Sequence, residues 1–261
     1  MTEAPPTNAP RFIEETAPSF VVQAGIDLGR KRDHSAIAVM EVRRNRAGHS
    51  FAAVRQWERL PIGMSWDKQW TRFARSLERV VEKVRENWQE AYTQASLNAM
   101  DARVIDPDEG PQIIPPPSPR VRVRVDSTGV GDAIVEEIEK EIHPNYADSI
   151  RVYPIYFNHG DRIKYEKGAY SLGKSYMVSM IQAHLAGKRI KVAPGILDAE
   201  AALQELEDYE VEITENMNEK YGAFKVGSHD DLVTALGLSL IDLTPPQTAL
   251  SGIYPPGVLG F

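Results

Sequence analysis

From residue 19 onward, short apolar runs and polar links follow one another in a readable order. SFVVQAGIDLG (19–29) is an almost continuous apolar run, which predicts a strand covered on both faces. The polar link RKRDH separates it from SAIAVMEV (35–42), and the turn signal RNRAGHS leads on to FAAVRQWERL (51–60). Three strands with such short links predict an antiparallel meander. From Ser65 to about Tyr92 the period changes. Trp66, Trp70, Phe73, Leu77, Val80, Val81 and Val84 recur at spacings of three and four, predicting a helix with one apolar stripe. The two tryptophans lie on that stripe and therefore read as core. Residues 93–119 lose the period and include DPDEGPQIIPPPSPR, which reads as a Pro-rich loop.

VRVRVD (121–126), the turn STGVGD, the helical stretch AIVEEIEKEI (133–142) and IRVYPIYF (150–157) form a β-α-β unit, whose crossover implies parallel strands. Alternation with Val puts Arg120, Arg122 and Arg124 on one face, so either the strand's start projects beyond its cover or that face is a groove. A helix over about 172–186, a short strand RIKVA (189–193) and a helix over about 196–208 come next. A hairpin is expected between YEVEIT (209–214) and GAFKVG (222–227), and a last helix from about Asp230 to Ile241. Residues 1–18 and 244–261 are Pro-punctuated and read as flexible tails, leaving one domain at 19–243. The order predicts an α/β fold of ribonuclease-H-like outline. Its mixed five-stranded sheet would have three antiparallel strands, then parallel strands, with flanking helices and an added β-hairpin.

Composition changes this picture little: 42% hydrophobic and 26% charged residues are ordinary for a globular domain. A net charge of -7 argues, taken alone, against a general nucleic-acid binder. Yet basic residues cluster at Arg30, Lys31 and Arg32, at Arg43, Arg44 and Arg46, and at Lys188, Arg189 and Lys191. These are either solvated faces or a local track for a polyanion, and the net charge does not choose. Cys is absent, which removes disulfides and thiolate metal sites and leaves carboxylate and imidazole as the strong ligands. No apolar run reaches the roughly 20 residues of a membrane span, and MTEAPPTNAP lacks the basic and apolar regions of a signal peptide. A cytoplasmic protein without a membrane partner is expected.

Three acids stand at strategic points of the outline. Asp27 ends the first strand, Asp126 ends the fourth, and Asp231 opens the last helix. Any one of them alone reads as a turn residue or a helix cap. Adjacent first and fourth strands would set Asp27 beside Asp126, and a helix across that edge would bring Asp231 to them. Clustered carboxylates repel one another and call for cations, and hard oxygen ligands suit Mg²⁺ or Mn²⁺. Two such ions about 3.5–4 Å apart can hold the attacking and leaving oxygens of a phosphodiester in line. Gly129 and Gly131 permit the tight turn after Asp126, and the helix start that follows could attract a phosphate.

The segments around these acids are distinctive. GIDLGRKRDHSAIAVMEV (25–42), VRVDSTGVGDAIVEEI (123–138) and GSHDDLVTALGLSLID (227–242) resemble, in order, the three motifs of the nuclease domain of phage large terminases. The resemblance spans about 20–243. It implies metal ligation by Asp27, Asp126 and Asp231, with Asp33 as a further acid. Asp230 is then either a ligand or a residue that orients one, and His229 a supporting or capping residue rather than a ligand. Lys174 near a helix start, with Arg30, Lys31 and Arg32 on the first hairpin, would contact DNA phosphates. The implied activity is metal-dependent endonucleolytic cleavage of double-stranded DNA with little sequence specificity, as in cutting concatemeric phage DNA during packaging. The implied partners are DNA and a separate packaging ATPase, portal or small terminase subunit, in a host-cell cytoplasm. The isolated chain is expected to be monomeric.

Other readings stay open on these residues. GAYSLGKS (168–175) satisfies GxxxxGK[ST], the phosphate-cradling P-loop, although the polar NHGDRIKYEK before it is not the buried strand that motif requires. GIDLG also resembles the first phosphate loop of the actin and sugar-kinase superfamily, which needs two such domains. A Holliday-junction resolvase shares the acidic cluster. A catalytically inactive DNA-packaging scaffold is the non-enzymatic alternative, and the intact acids count against it.

Overall fold

β1 (Phe20–Asp27) is buried without interruption from Val21 to Ile26, the reason its sequence shows no polar alternation. The computed structural model describes residues 20–29, 33–44, 50–101, 120–128, 135–138, 140, 150–166, 169–213, 219–222 and 229–241. β2 (Ala36–Arg44) pairs antiparallel with β1, and β3 (Ser50–Arg59) pairs antiparallel with β2 across a bulge at Val39/Met40. On the other side of β1, β4 (Arg120–Asp126) runs parallel to it, and β5 (Ile150–Asn158) runs parallel to β4. The lateral order β3-β2-β1-β4-β5, with β2 alone reversed, is the ribonuclease-H-like arrangement expected from the element order.

Among the described residues the sheet has eight strands rather than the expected five. β7 (Ala169–Gly173) adds parallel to β5, and β6 (Ile163–Glu166) adds antiparallel to β7. At the opposite edge β8 (Ile190–Val192), anticipated as a strand, pairs parallel with β3. The stretch holding β6 looks too polar for a sheet because an outermost strand needs only one apolar face. Ile163 is buried while Lys164 points to solvent. β7 is the GAYSLGKS segment. Its backbone is hydrogen-bonded between two strands, and the Gly173 amide donates to the Arg162 carbonyl at 2.8 Å. These amides cannot form a phosphate cradle, so the P-loop reading fails.

Two layers of helix cover the sheet. α1 (Trp66–Asp101) lays its stripe of Trp70, Phe73, Leu77, Val80, Val81 and Val84 against Val22, Ala24 and Ile26 of β1 and Val121, Val123 and Val125 of β4. It continues through residues 93–101, which the aperiodic pattern assigned to a loop; TQASLNAMD contains good helix formers and neither Gly nor Pro. Residues 102–119 lie outside the described residues, as do both tails. The helical residues 135–138 bury Val135 and Ile138 on the α1 face. The opposite face carries α2 (Lys174–Ala186), α3 (Ala199–Asp208) and α4 (Asp231–Ser239). The hairpin forms from β9 (Glu210–Ile213) and β10 (Glu219–Gly222), its second strand three residues earlier than expected.

The Arg-Val alternation of β4 resolves into two environments. Arg120 is exposed at the strand's start, whereas Arg122 and Arg124 are buried on the α4 side. Arg124 is fully buried, donates to Gln23 Oε1 at 3.1 Å and lies 6.0 Å from the Tyr153 ring centroid. That face is filled, not a groove. No helix among the described residues is long and apolar enough to cross a membrane.

Candidate active site

β1 pairs with β2 on one side and β4 with β5 on the other, so the strand order reverses direction between β1 and β4, the place where open α/β sheets form their sites at the carboxyl ends. Asp27 and Asp126 sit at that place. Ile26 is aligned with Val125, which makes the two acids the next neighbours across the parallel pair. The loop after Asp27 doubles back tightly. The Gly29 amide donates to Ser35 Oγ at 3.0 Å, and a Cβ on Gly29 would lie 2.1 Å from the His34 carbonyl oxygen. Ser35 in turn donates to Gln69 Oε1 of α1 at 2.6 Å, which ties the returning strand to the helix layer.

Asp126 is held by its own turn. The Thr128 amide donates to Asp126 Oδ1 at 2.8 Å, and the Phe157 amide donates to Thr128 Oγ1 at 2.8 Å, linking the turn to β5. Thr128 was visible only as part of a motif, and its role depends on a strand 29 residues away.

The third acid arrives because α4 lies directly on β1. A Cβ on Gly25 would stand 2.1 Å from the Ala235 carbonyl oxygen and 2.6 Å from the Ser239 amide, so only glycine admits the helix so close. Asp231 is the first residue of that helix and is 7% exposed. Neither it nor its neighbour caps the helix. Asp230 occupies the N-cap position without a side-chain capping bond, and Glu205 of α3 does the capping instead. Glu205 Oε2 accepts from the amides of Leu232 at 2.9 Å and Val233 at 3.2 Å. Trp57 fixes the same turn by donating from Nε1 to the Leu232 carbonyl at 2.9 Å. Asp231 Oδ2 is buried and accepts no hydrogen bond, although Arg59 Nε lies 3.5 Å from it.

The electrostatics record the crowding. Asp27 titrates well above the ordinary carboxylate range, chiefly through burial, then through the charges of Asp126, Asp231 and Asp230, with Lys174 opposing. Asp126 is raised by burial and by Asp230, against the Thr128 hydrogen bonds and the Lys174 charge. Asp231 is raised to about 6 by burial, opposed by Arg59, with Asp230 and Asp33 adding to the rise. Asp33 and Asp230 therefore stand within electrostatic reach of Asp231, Asp33 on an exposed turn. His229 Nδ1 is 3.8 Å from Asp231 Oδ2, and its ring meets that of His34 edge-on at 5.0 Å. Burial, then the Arg59 and His34 charges, lower its pKa, so near neutrality it is an uncharged neighbour of Asp231. Lys174 begins α2, with Nζ 5.8 Å from the Phe157 ring centroid, beside the end of β5. Arg30, Lys31, Arg32, Gly129 and Gly131 lie outside the described residues.

The donor set fits a divalent cation. It offers hard carboxylate oxygens, one of them buried without a donor, in a cluster whose mutual repulsion a cation would relieve. Among the described residues no three such groups converge on a single point.

Two residues of this site were not anticipated. Arg59 ends a strand in which it looks like a surface charge. Glu205 had a usable signal: it shares a helix face with the buried Ala202, where an acid is out of pattern.

Fold and site together define a ribonuclease-H-like α/β domain with an acidic cluster at the carboxyl edge of β1 and β4. No family model and no curated protein matches the sequence. Among solved structures, the large terminase nuclease from thermophilic phage G20c is similar at 20% identity and a TM-score of 0.46, over 85% of this chain and 82% of that one. The human cytomegalovirus terminase nuclease domain, soaked with Mn and with inhibitor bound, is similar at 12% identity and a TM-score of 0.44, over 90% and 86%. The large terminase nuclease domain of bacteriophage SPP1 with bound Mn gives 11% and 0.38, over 92% and 93%. These are distant likenesses.

Proposed function

We propose that this domain is a metal-dependent endonuclease acting on double-stranded DNA, with Asp27, Asp126 and Asp231 as its catalytic acids. One observation carries the reading. The ordinary duty of an acid at a helix start belongs to Glu205, which leaves Asp231 buried, without a hydrogen-bond donor on Oδ2, at the edge that bears Asp27 and Asp126. Acids held together at the expense of their ionisation are a feature of functional sites.

Asp27, Asp126 and Asp231 would hold Mg²⁺ or Mn²⁺, with Asp230 and Asp33 close enough to contribute or orient. Bound there, such ions would supply activation of a water molecule and neutralisation of the charge on the departing 3′ oxygen of a phosphodiester. Thr128 keeps the Asp126 carboxylate in one orientation. Lys174, at the mouth of the site, would bind a backbone phosphate, and Arg30, Lys31 and Arg32 would extend that contact. The finer reading, terminase-like cutting of concatemeric DNA by a domain that works beside a separate packaging ATPase, portal or small terminase subunit, is supported by the three sequence motifs in register.

The test is conversion of supercoiled plasmid in Mn²⁺ by the wild type and by Asp27→Asn, Asp126→Asn and Asp231→Asn. Each variant is expected to lose at least about 100-fold in rate. Wild-type cutting that persists in Asp231→Asn would overturn the assignment. A strong preference for four-way junctions over linear duplex would replace it with the resolvase reading.

A further inference from the structure

Glu205 faces two groups at once. Its Oε2 takes the Leu232 and Val233 amides, and its Oε1 is ion-paired with Arg59 Nη2. The same guanidinium reaches Asp231 with Nε, at 3.5 Å from Oδ2 and without a hydrogen bond. Arg59 is anchored in turn by its backbone, whose amide donates to Asp198 Oδ2 at 2.8 Å. Glu205 is 6% exposed, and its site-facing side is closed by Arg59 and the first turn of α4.

An arginine beside a lone buried carboxylate would normally close on it in a two-pronged pair. Here it does not, because its far nitrogen is engaged elsewhere. We propose that Glu205 is a positioning residue that keeps Asp231 available to a metal ion, by capping the helix that presents Asp231 and by retaining the Arg59 guanidinium. The inference rests on the nuclease reading of Asp231. Held by Glu205, the Arg59 guanidinium stays off the Asp231 carboxylate. Without the tether it becomes the cation's competitor.

Mn²⁺ binding to the full chain, measured by titration calorimetry, tests this. Glu205→Gln keeps an oxygen for the two amides and removes the charge that holds Arg59. It is expected to weaken Mn²⁺ binding about tenfold while the metal-free protein keeps its circular-dichroism spectrum. Adding Arg59→Gln to that variant should restore affinity to within about twofold of Arg59→Gln alone, a recovery that a merely structural role for Glu205 would not give. Wild-type affinity in Glu205→Gln, or no recovery in the double variant, would overturn the inference. Should Glu205→Gln fail to fold, Arg59→Gln decides alone: it is expected to bind Mn²⁺ at least as tightly as the wild type, and a tenfold loss (about 1.4 kcal/mol) contradicts the competitor role. Failure of the underlying reading looks different, since Asp231→Asn would then bind Mn²⁺ as the wild type does.

Discussion

Arg59 Nε stands 3.5 Å from Asp231 Oδ2, near enough for charge to act and too poorly aimed for a hydrogen bond. A buried carboxylate with a half-engaged partner is costly to ionise. Burial outweighs the opposing Arg59 charge, and the acid titrates near 6 instead of 3.8. The incomplete pairing is thus a liability for the folded protein.

That liability has a sign. The folded-state pKa of Asp231 is raised, so the folded protein holds this proton more tightly than the unfolded chain does. The resulting stabilisation is fully present below pH 3.8 and is lost as pH rises through about 6. Asp231→Asn lacks the titration. Without metal, the stability of the wild type relative to Asp231→Asn should therefore fall as pH is raised from about 4 to about 7, by at most about 3 kcal/mol. Thermal melts of the pair across that window check it. A difference that stays flat or grows with pH contradicts the assigned environment.

Gly25 is expected to tolerate no side chain. A methyl group there would meet the Ala235 carbonyl oxygen at 2.1 Å and the Ser239 amide at 2.6 Å, both backbone atoms that cannot swing away. Gly25→Ala should cost about 3 kcal/mol or more in denaturant unfolding. In any fraction that folds, α4 must ride higher on β1, so Mn²⁺ affinity should drop with stability. Near-wild-type values of both would show that α4 is not seated as described.

Lys174 offers a test of the DNA track that leaves the acids intact. Lys174→Ala should weaken binding to duplex DNA of any sequence and lower the slope of log affinity against log salt by about one. Binding assays across a salt series in Ca²⁺ read this directly. An unchanged slope would remove Lys174 from the DNA contact.

Much of this protein was legible in its sequence because the signals were local. The unbroken apolar run of β1, the stripe from Trp66 to Val84, and the strand-ending positions of Asp27 and Asp126 all follow from short-range periodicity, so the ribonuclease-H-like order and two acids of the candidate site could be named. Signals tied to an edge or to a distant partner were not readable. β6 looked polar because one of its faces meets solvent, and GAYSLGKS looked like a phosphate loop until its amides were found bonded in the sheet. Helix capping is where the difference matters most. From the sequence, Asp231 was a plausible cap of its own helix. Only the tertiary structure brings Glu205 across 27 residues of chain to those amides and Arg59 to Glu205, because both depend on α3, β3 and α4 packing on one face of the sheet. The chain's residue pattern places the candidate acids at strand ends and a helix start; packing decides which of them is left without another task.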